Sequence, residues 1–144
     1  MNPTRVLFVC IHNSARSQMA EAYLNHFGDG RFQAESAGLE PGWLNPRVVQ
    51  VMREDGIDLS RNKTKSVFDI FKQGKLFEYV VTVCDEASAE KCPIFPGVTQ
   101  RLHWSFRDTS ALTGTEDARL QGTREIRDQI KTRVKQWLAE SARR

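Results

Sequence analysis

Two short apolar runs, Val6-Leu7-Phe8-Val9-Cys10 and Phe77 to Val83, constrain this chain more than any other feature. Uninterrupted apolar strands belong to parallel sheets covered on both faces, because a strand with one wet face alternates instead. A polar loop ends the first run, and the segment from Arg16 then carries Met19, Ala20, Tyr23, Leu24 and Phe27 at helical spacing before Gly28. Phe32 to Ala37 reads as a second strand, closed by Gly38 and the turn-rich Pro41-Gly42. Asn45-Pro46 supplies an N-cap and a first-turn proline for a helix with Val48, Val49, Val51 and Met52, which Gly56 stops.

Beyond it, Lys65 to Phe71 reads as a short helix, Asp85 to Lys91 as polar and helix-compatible, and Val98 to Trp104 as a last strand. A final helix places Ile126, Ile130, Val134, Trp137 and Leu138 on one face; Thr113 with Glu116 marks its start, and Gly122 weakens that stretch. Alternating strands and helices with short connections predict an α/β fold with a helix-covered parallel sheet. There is no repeat and no linker, so residues 1–144 are expected to form a single domain.

Composition narrows the function classes. No run of about 18 apolar residues occurs, and the chain passes from Met1-Asn2-Pro3 straight into a strand, so neither a membrane span nor a secretion signal is expected. A soluble cytoplasmic protein is the expectation. The 21 basic and 18 acidic residues leave a net charge of +3, spread along the chain apart from the terminal Ala142-Arg143-Arg144. Arg124 to Lys135 alternate with Glu125, Asp128 and apolar residues at helical spacing, the pattern of a solvated helix face rather than a nucleic-acid stripe. Three cysteines, an odd number, argue for reduced and reactive thiols over a disulfide framework.

The chemistry concentrates in Cys10-Ile11-His12-Asn13-Ser14-Ala15-Arg16-Ser17. A loop between a buried strand and a helix points its N–H groups into one small space beside the helix N-terminus, where an oxyanion binds. A cysteine there feels the helix dipole and a nearby arginine, both of which favour the thiolate. Arg16 can return around the loop and hold two oxygens of a tetrahedral anion with its planar fork. Ser17 can donate to the sulfur. His12 is assigned no catalytic task.

Val6 to Cys10 followed by Asn13-Ser14-Ala15-Arg16-Ser17-Gln18-Met19-Ala20-Glu21 resembles the phosphate-binding loop of the low-molecular-weight protein tyrosine phosphatase superfamily, specifically its thioredoxin-coupled arsenate reductases. The resemblance extends to Glu35-Ser36-Ala37-Gly38, Gly56-Ile57-Asp58, Val81-Thr82-Val83-Cys84, Cys92-Pro93 and His103-Trp104-Ser105-Phe106 leading to Asp108. It implies a flavodoxin-like sheet of four strands in the order 2-1-3-4. In that order Cys10 ends strand one and Cys84 ends its neighbour strand three, so both thiols lie at the carboxyl edge where ligands bind. Adjacent strands about 4.8 Å apart make a Cys10 to Cys84 disulfide feasible after a modest loop movement. A helix over 85–91 would put Cys84 and Cys92 about 12 Å apart, so that segment must unwind for them to join.

The resemblance further implies a relay: Cys10 attacks arsenate held by Ile11, His12, Asn13, Ser14, Ala15, Arg16 and Ser17, while Asp108 protonates the departing oxygen. Cys84 then attacks Cys10, arsenite leaves, and Cys92 takes over Cys84 as a disulfide for thioredoxin. No organic cofactor is required, phosphate and sulfate are competing oxyanions, and a monomer is expected. Some family members hold a potassium ion at positions matched by Asn13, Glu21 and Ser36. Here the nearby acidic ligand is replaced around Lys65, whose ammonium could take the cation's place, so no metal is expected. The acid loop departs from the usual Asp-Pro, with Arg107 before Asp108 and Thr109 after it. Ala15 stands where some relatives carry a second loop cysteine.

Two rival functions remain. A low-molecular-weight phosphatase would use Cys10, Arg16 and Asp108 and leave Cys84 and Cys92 without a task. A non-catalytic anion-binding or redox-sensing protein would oxidise reversibly without turning over arsenate.

Overall fold

A computed structural model describes residues 2–97 and 99–142. Four parallel strands, β1 (Thr4–Cys10), β2 (Phe32–Gly38), β3 (Tyr79–Thr82) and β4 (Gln100–His103), form one sheet in the order β2-β1-β3-β4. That is the order the sequence predicts. The helices are α1 (Arg16–Phe27), α2 (Pro46–Glu54), α3 (Val67–Lys72), α4 (Glu86–Ala89) and α5 (Glu116–Ser141). Among the described residues no helix is long and apolar enough to cross a membrane.

The central strand β1 divides the core. Val6, Phe8 and Cys10 pack with Met19, Ala20, Tyr23 and Leu24 of α1 and with Ile126, Ile130, Val134, Trp137 and Leu138 of α5. Leu7 and Val9, pointing the other way by strand alternation, pack with Ala37, Val67, Ile70, Phe77, Val80, Cys92 and Phe95. Each fully buried large apolar side chain contributes about 1.5–3 kcal/mol, so the two clusters together fix which way every β1 side chain faces. Phe8 lies 5.7 Å from Trp104, and Trp104 6.2 Å from Trp137, which carries the aromatic contact from the sheet to α5.

Several boundaries differ from the sequence expectation for identifiable reasons. Asn45 caps α2 as expected, accepting from the Arg47 amide. α3 starts at Val67 rather than Lys65, because the Lys65 carbonyl accepts from Gly38 N–H and Ser66 bridges to Gly38, leaving Ser66 as the cap. β3 ends at Thr82, two residues before Cys84. Val83 N–H still reaches Val9, but the Cys10 carbonyl is engaged by Leu39 on the β2 side. The segment expected to be helical over 85–91 makes only the single turn of α4. α5 is capped by Thr115, whose hydroxyl accepts from the Ala118 amide, and not by Thr113. Gly122 is accommodated in α5 because a Cβ there would sit 3.0 Å from the Leu112 side chain. Val98, the expected start of the last strand, lies outside the described residues, as do Arg143 and Arg144 of the basic terminus.

Gly38 closes β2 directly beneath the loop that follows β1. A Cβ at this position would lie 2.7 Å from the Ile11 carbonyl oxygen and 2.8 Å from the Asn13 nitrogen, both backbone atoms that cannot swing aside. Gly38→Ala is therefore expected to lower stability by about 2 kcal/mol or more, read as a lower urea midpoint; an unchanged midpoint would contradict this placement.

Candidate active site

The loop from Cys10 to Ala15 is shaped from outside. Leu39 N–H donates to the Cys10 carbonyl (3.0 Å), Glu40 to Ile11 (2.7 Å), Gly42 to His12 (3.0 Å) and Asn45 to Ser14 (3.0 Å). A trans peptide directs its N–H opposite to its C=O, so the amides following these carbonyls face away from the 39–45 segment. One of them is seen at work: Asn13 N–H donates to Cys10 Sγ at 3.1 Å. Ser17 Oγ also lies 2.9 Å from that sulfur. Ala15, at the N-cap of α1, has no side-chain oxygen to occupy the first-turn amides, and the turn carries no acidic residue. The result is a set of donors with nothing anionic among them, which suits an anion.

Asn13 holds the bend in the left-handed region at φ 56° and is fully buried. Both ends of its side chain are engaged: Nδ2 donates to Ser17 Oγ (2.8 Å), while Oδ1 accepts from Gln18 Nε2 (3.2 Å) and the Lys65 amide (3.0 Å). Gln18 in turn donates to the Lys63 carbonyl and accepts from Asn62. Gln18 and Asn62 are supports that sequence reasoning missed. The available signal was Gln18 itself, a polar residue that continues the polar stretch Arg16-Ser17 directly before the apolar Met19-Ala20.

Arg16 is buried despite its charge, with its guanidinium donating to the Phe106 carbonyl at 3.1 Å and lying 4.0 Å from Asp108 Oδ1. Arg16 and Asp108, 92 positions apart, are thus brought together by the fold. Asp108 is not a free acid, however: it caps a short 3-10 turn (Thr109–Ala111) by accepting from the Ser110 amide (2.9 Å) and hydroxyl (2.7 Å). Burial alone would raise its pKa, but the Ser110 hydrogen bonds and the Arg16 charge outweigh burial and hold the carboxyl below the usual range. His12 is exposed and pairs through Nδ1 with the Glu40 carbonyl at 2.8 Å, consistent with a backbone-bonding role.

Cys84 sits two residues past β3 in the same apolar cluster as Cys10. Burial pushes its thiol up to about 11, and the neighbouring Cys10 adds to the effect while Arg16 opposes it. Cys92 is also buried, but in the cluster on the opposite face of the sheet, and burial pushes its thiol to about 11 as well, with Arg101 opposing. All three cysteines are free. Next to the loop, Lys65 Nζ lies 3.7 Å from Glu21 Oε1, which also accepts from Ser36 Oγ at 3.0 Å. Burial raises the Glu21 pKa against the lowering effects of Lys65 and Ser36.

The sequence pattern of the low molecular weight phosphotyrosine protein phosphatase family matches residues 5–144. The chain belongs to that family. An arsenate reductase of Bacillus subtilis (strain 168) is 39% identical over 134 residues, covering 92% of this chain and 93% of its own length. The arsenate reductase of Archaeoglobus fulgidus DSM 4304 superposes with a TM-score of 0.74 at 31% identity, covering 93% of this chain and 98% of that one. A thioredoxin-dependent arsenate reductase of Corynebacterium glutamicum gives a TM-score of 0.71 at 25% identity, covering 97% of this chain and 62% of that one.

Raised thiol pKa values have a stability consequence. A group whose folded pKa exceeds its unfolded value contributes fully below the unfolded pKa and loses that contribution as pH rises through the folded one. With ordinary values of 9.0 and folded values of about 11, stability is expected to fall between these pH values. Urea midpoints from pH 7 to 11 should drop more steeply in the wild type than in a Cys84→Ala/Cys92→Ala variant. Parallel curves would contradict the burial assignments.

Proposed function

We propose that this protein reduces arsenate to arsenite by a three-cysteine relay regenerated by thioredoxin. The observation that carries the reading is the placement of Cys10 and Cys84 in one apolar cluster at the carboxyl edges of adjacent parallel strands, with a third buried thiol at the far end of a single helical turn. The names of the relatives support the substrate, and the thioredoxin dependence of the Corynebacterium glutamicum protein supports the reductant.

In the proposed sequence the amides of Ile11 to Ser17 and the Arg16 fork hold the oxyanion. Cys10 Sγ bonds to arsenic as one oxygen departs as water, protonated at the Asp108 side. Since Ser110 and Arg16 keep Asp108 anionic, proton delivery requires those hydrogen bonds to open, and turnover should fall as pH rises. Cys84 then attacks Cys10 Sγ. The sulfur–arsenic electron pair remains on arsenic, which leaves as arsenite, and two thiols have become one disulfide. Cys92 attacks Cys84 Sγ, forming the Cys84–Cys92 bond and releasing Cys10 as thiolate. Because Cys92 lies in the other core cluster, this exchange requires residues 84–96 to lift from the sheet. Reduction by thioredoxin restores the resting state without any organic cofactor or metal. A monomeric cytoplasmic enzyme fits this reading.

A second reading, aryl-phosphate hydrolysis, is favoured specifically by the meeting of Arg16 with Asp108, since phosphate and arsenate are both tetrahedral. The test is arsenate-dependent NADPH oxidation through thioredoxin and its reductase, with aryl-phosphate hydrolysis alongside, on wild type and Cys10→Ser, Cys84→Ser and Cys92→Ser. The relay requires each substitution to reduce arsenate turnover by at least about 100-fold, with hydrolysis sensitive to Cys10 alone. Fast hydrolysis, no arsenate turnover and silent Cys84 and Cys92 variants would make the protein a phosphatase.

A further inference from the structure

Arg101 on β4 reaches across the edge of the sheet to the segment that links the second and third cysteines. Its guanidinium donates to the Ala89 carbonyl at 3.3 Å, and the same carbonyl accepts the Cys92 amide at 3.1 Å. Ala89 is the last residue of α4, where outward-facing carbonyls favour a cation. Arg101 and Ala89 also line an open surface groove together with Thr82, Glu90, Leu102 and His103. Cys92 shares its apolar cluster with Leu7 and Val9 of β1, Ala37 of β2, Val67 of α3 and Val80 of β3. Glu90 and Lys91 flank it along its own segment and are exposed.

We propose that Arg101 is a positioning residue of the relay: it holds the Ala89 carbonyl to β4 as a pivot while the rest of the 84–96 segment lifts, and keeps its positive charge beside the turn whose Cys92 thiolate attacks Cys84. This rests on the three-cysteine reading. In the step concerned, Cys92 loses its proton to solvent, the Cys92–Cys84 bond forms, the Cys84–Cys10 bond breaks and Cys10 leaves as thiolate. It is an exchange with no net change in oxidation. The burial that raises the Cys92 thiol is opposed by Arg101, so removing the charge lowers the attacking thiolate fraction. Because a more basic thiolate is also a better nucleophile, the net effect on rate is smaller than the effect on that fraction.

The experiment is a single turnover of the full-length protein with arsenate and no reductant, acid-quenched, alkylated and mapped for disulfides over time and pH. Wild type should pass from the Cys10–Cys84 to the Cys84–Cys92 disulfide. In Arg101→Gln, which keeps an amide donor for Ala89, the second exchange should be about three- to tenfold slower at pH 7.5, with its rise moved to higher pH. Formation of the first disulfide should proceed as in wild type. Arg101→Lys, retaining the charge, should recover the wild-type pH profile. Wild-type rate and pH profile in Arg101→Gln would overturn the proposal, as would a loss equal at every pH that Arg101→Lys does not rescue. If wild type itself stops at Cys10–Cys84, the relay reading fails and takes this proposal with it, an outcome distinct from a defect confined to the Arg101 variants.

Discussion

Four hydrogen bonds from the stretch between Leu39 and Asn45 to the carbonyls of Cys10, Ile11, His12 and Ser14 decide how the nucleophile loop is built. With the carbonyls held outward, the intervening amides face the opposite side, and that of Asn13 donates to the Cys10 sulfur. Gly38 makes this possible, since any side chain there would collide with the loop backbone. The parallel pairing of Cys10 with Gly38 in register brings the two chain segments together at the same level. Burying β1 on both faces then makes that register expensive to change, because a one-residue slip would exchange the two core clusters.

Polar satisfaction inside the loop follows from the same arrangement. Asn13 adopts a left-handed backbone and uses its amide side chain to tie together Ser17, Gln18 and the Lys65 backbone. The buried network is satisfied at each of these atoms, so it can hold a strained residue without the cost of an unpaired group. Arg16 closes the other side through Phe106 and Asp108. Cys10 is thus set among fixed donors, while burial in separate clusters raises the Cys84 and Cys92 thiols. A thiol that is poor at rest and improves when its segment moves is a sensible partner for a relay, since it avoids premature oxidation.

Much of this was legible in the sequence. The strand, loop and amphipathic helix from Val6 to Phe27 could be read residue by residue because their periodicities are local, and Asn45-Pro46 announced its helix by cap chemistry. The strand order came from resemblance to a family, since spacing alone does not order parallel strands. What stayed hidden was non-local. The sequence named Cys92 as a relay thiol but not its surroundings: it is buried in the cluster that includes Phe95 and Phe77, which only the fold brings to it. Likewise Asp108 was readable as an acid near Arg16, but its hydrogen bonds to Ser110 depend on a 3-10 turn that no periodicity marks. Thr115 rather than Thr113 caps α5 for the same reason: cap geometry is set by the exact residue at which the chain turns.

The claim on which the rest depends is that the backbone amides following Cys10 form the oxyanion site. Backbone amide spectra of the reduced protein titrated with arsenate test it most directly. Saturable shifts confined to residues 11–17 and the Phe106 to Asp108 stretch, displaced competitively by phosphate and sulfate, are the expected result. Shifts centred elsewhere, or none at millimolar arsenate, would contradict it.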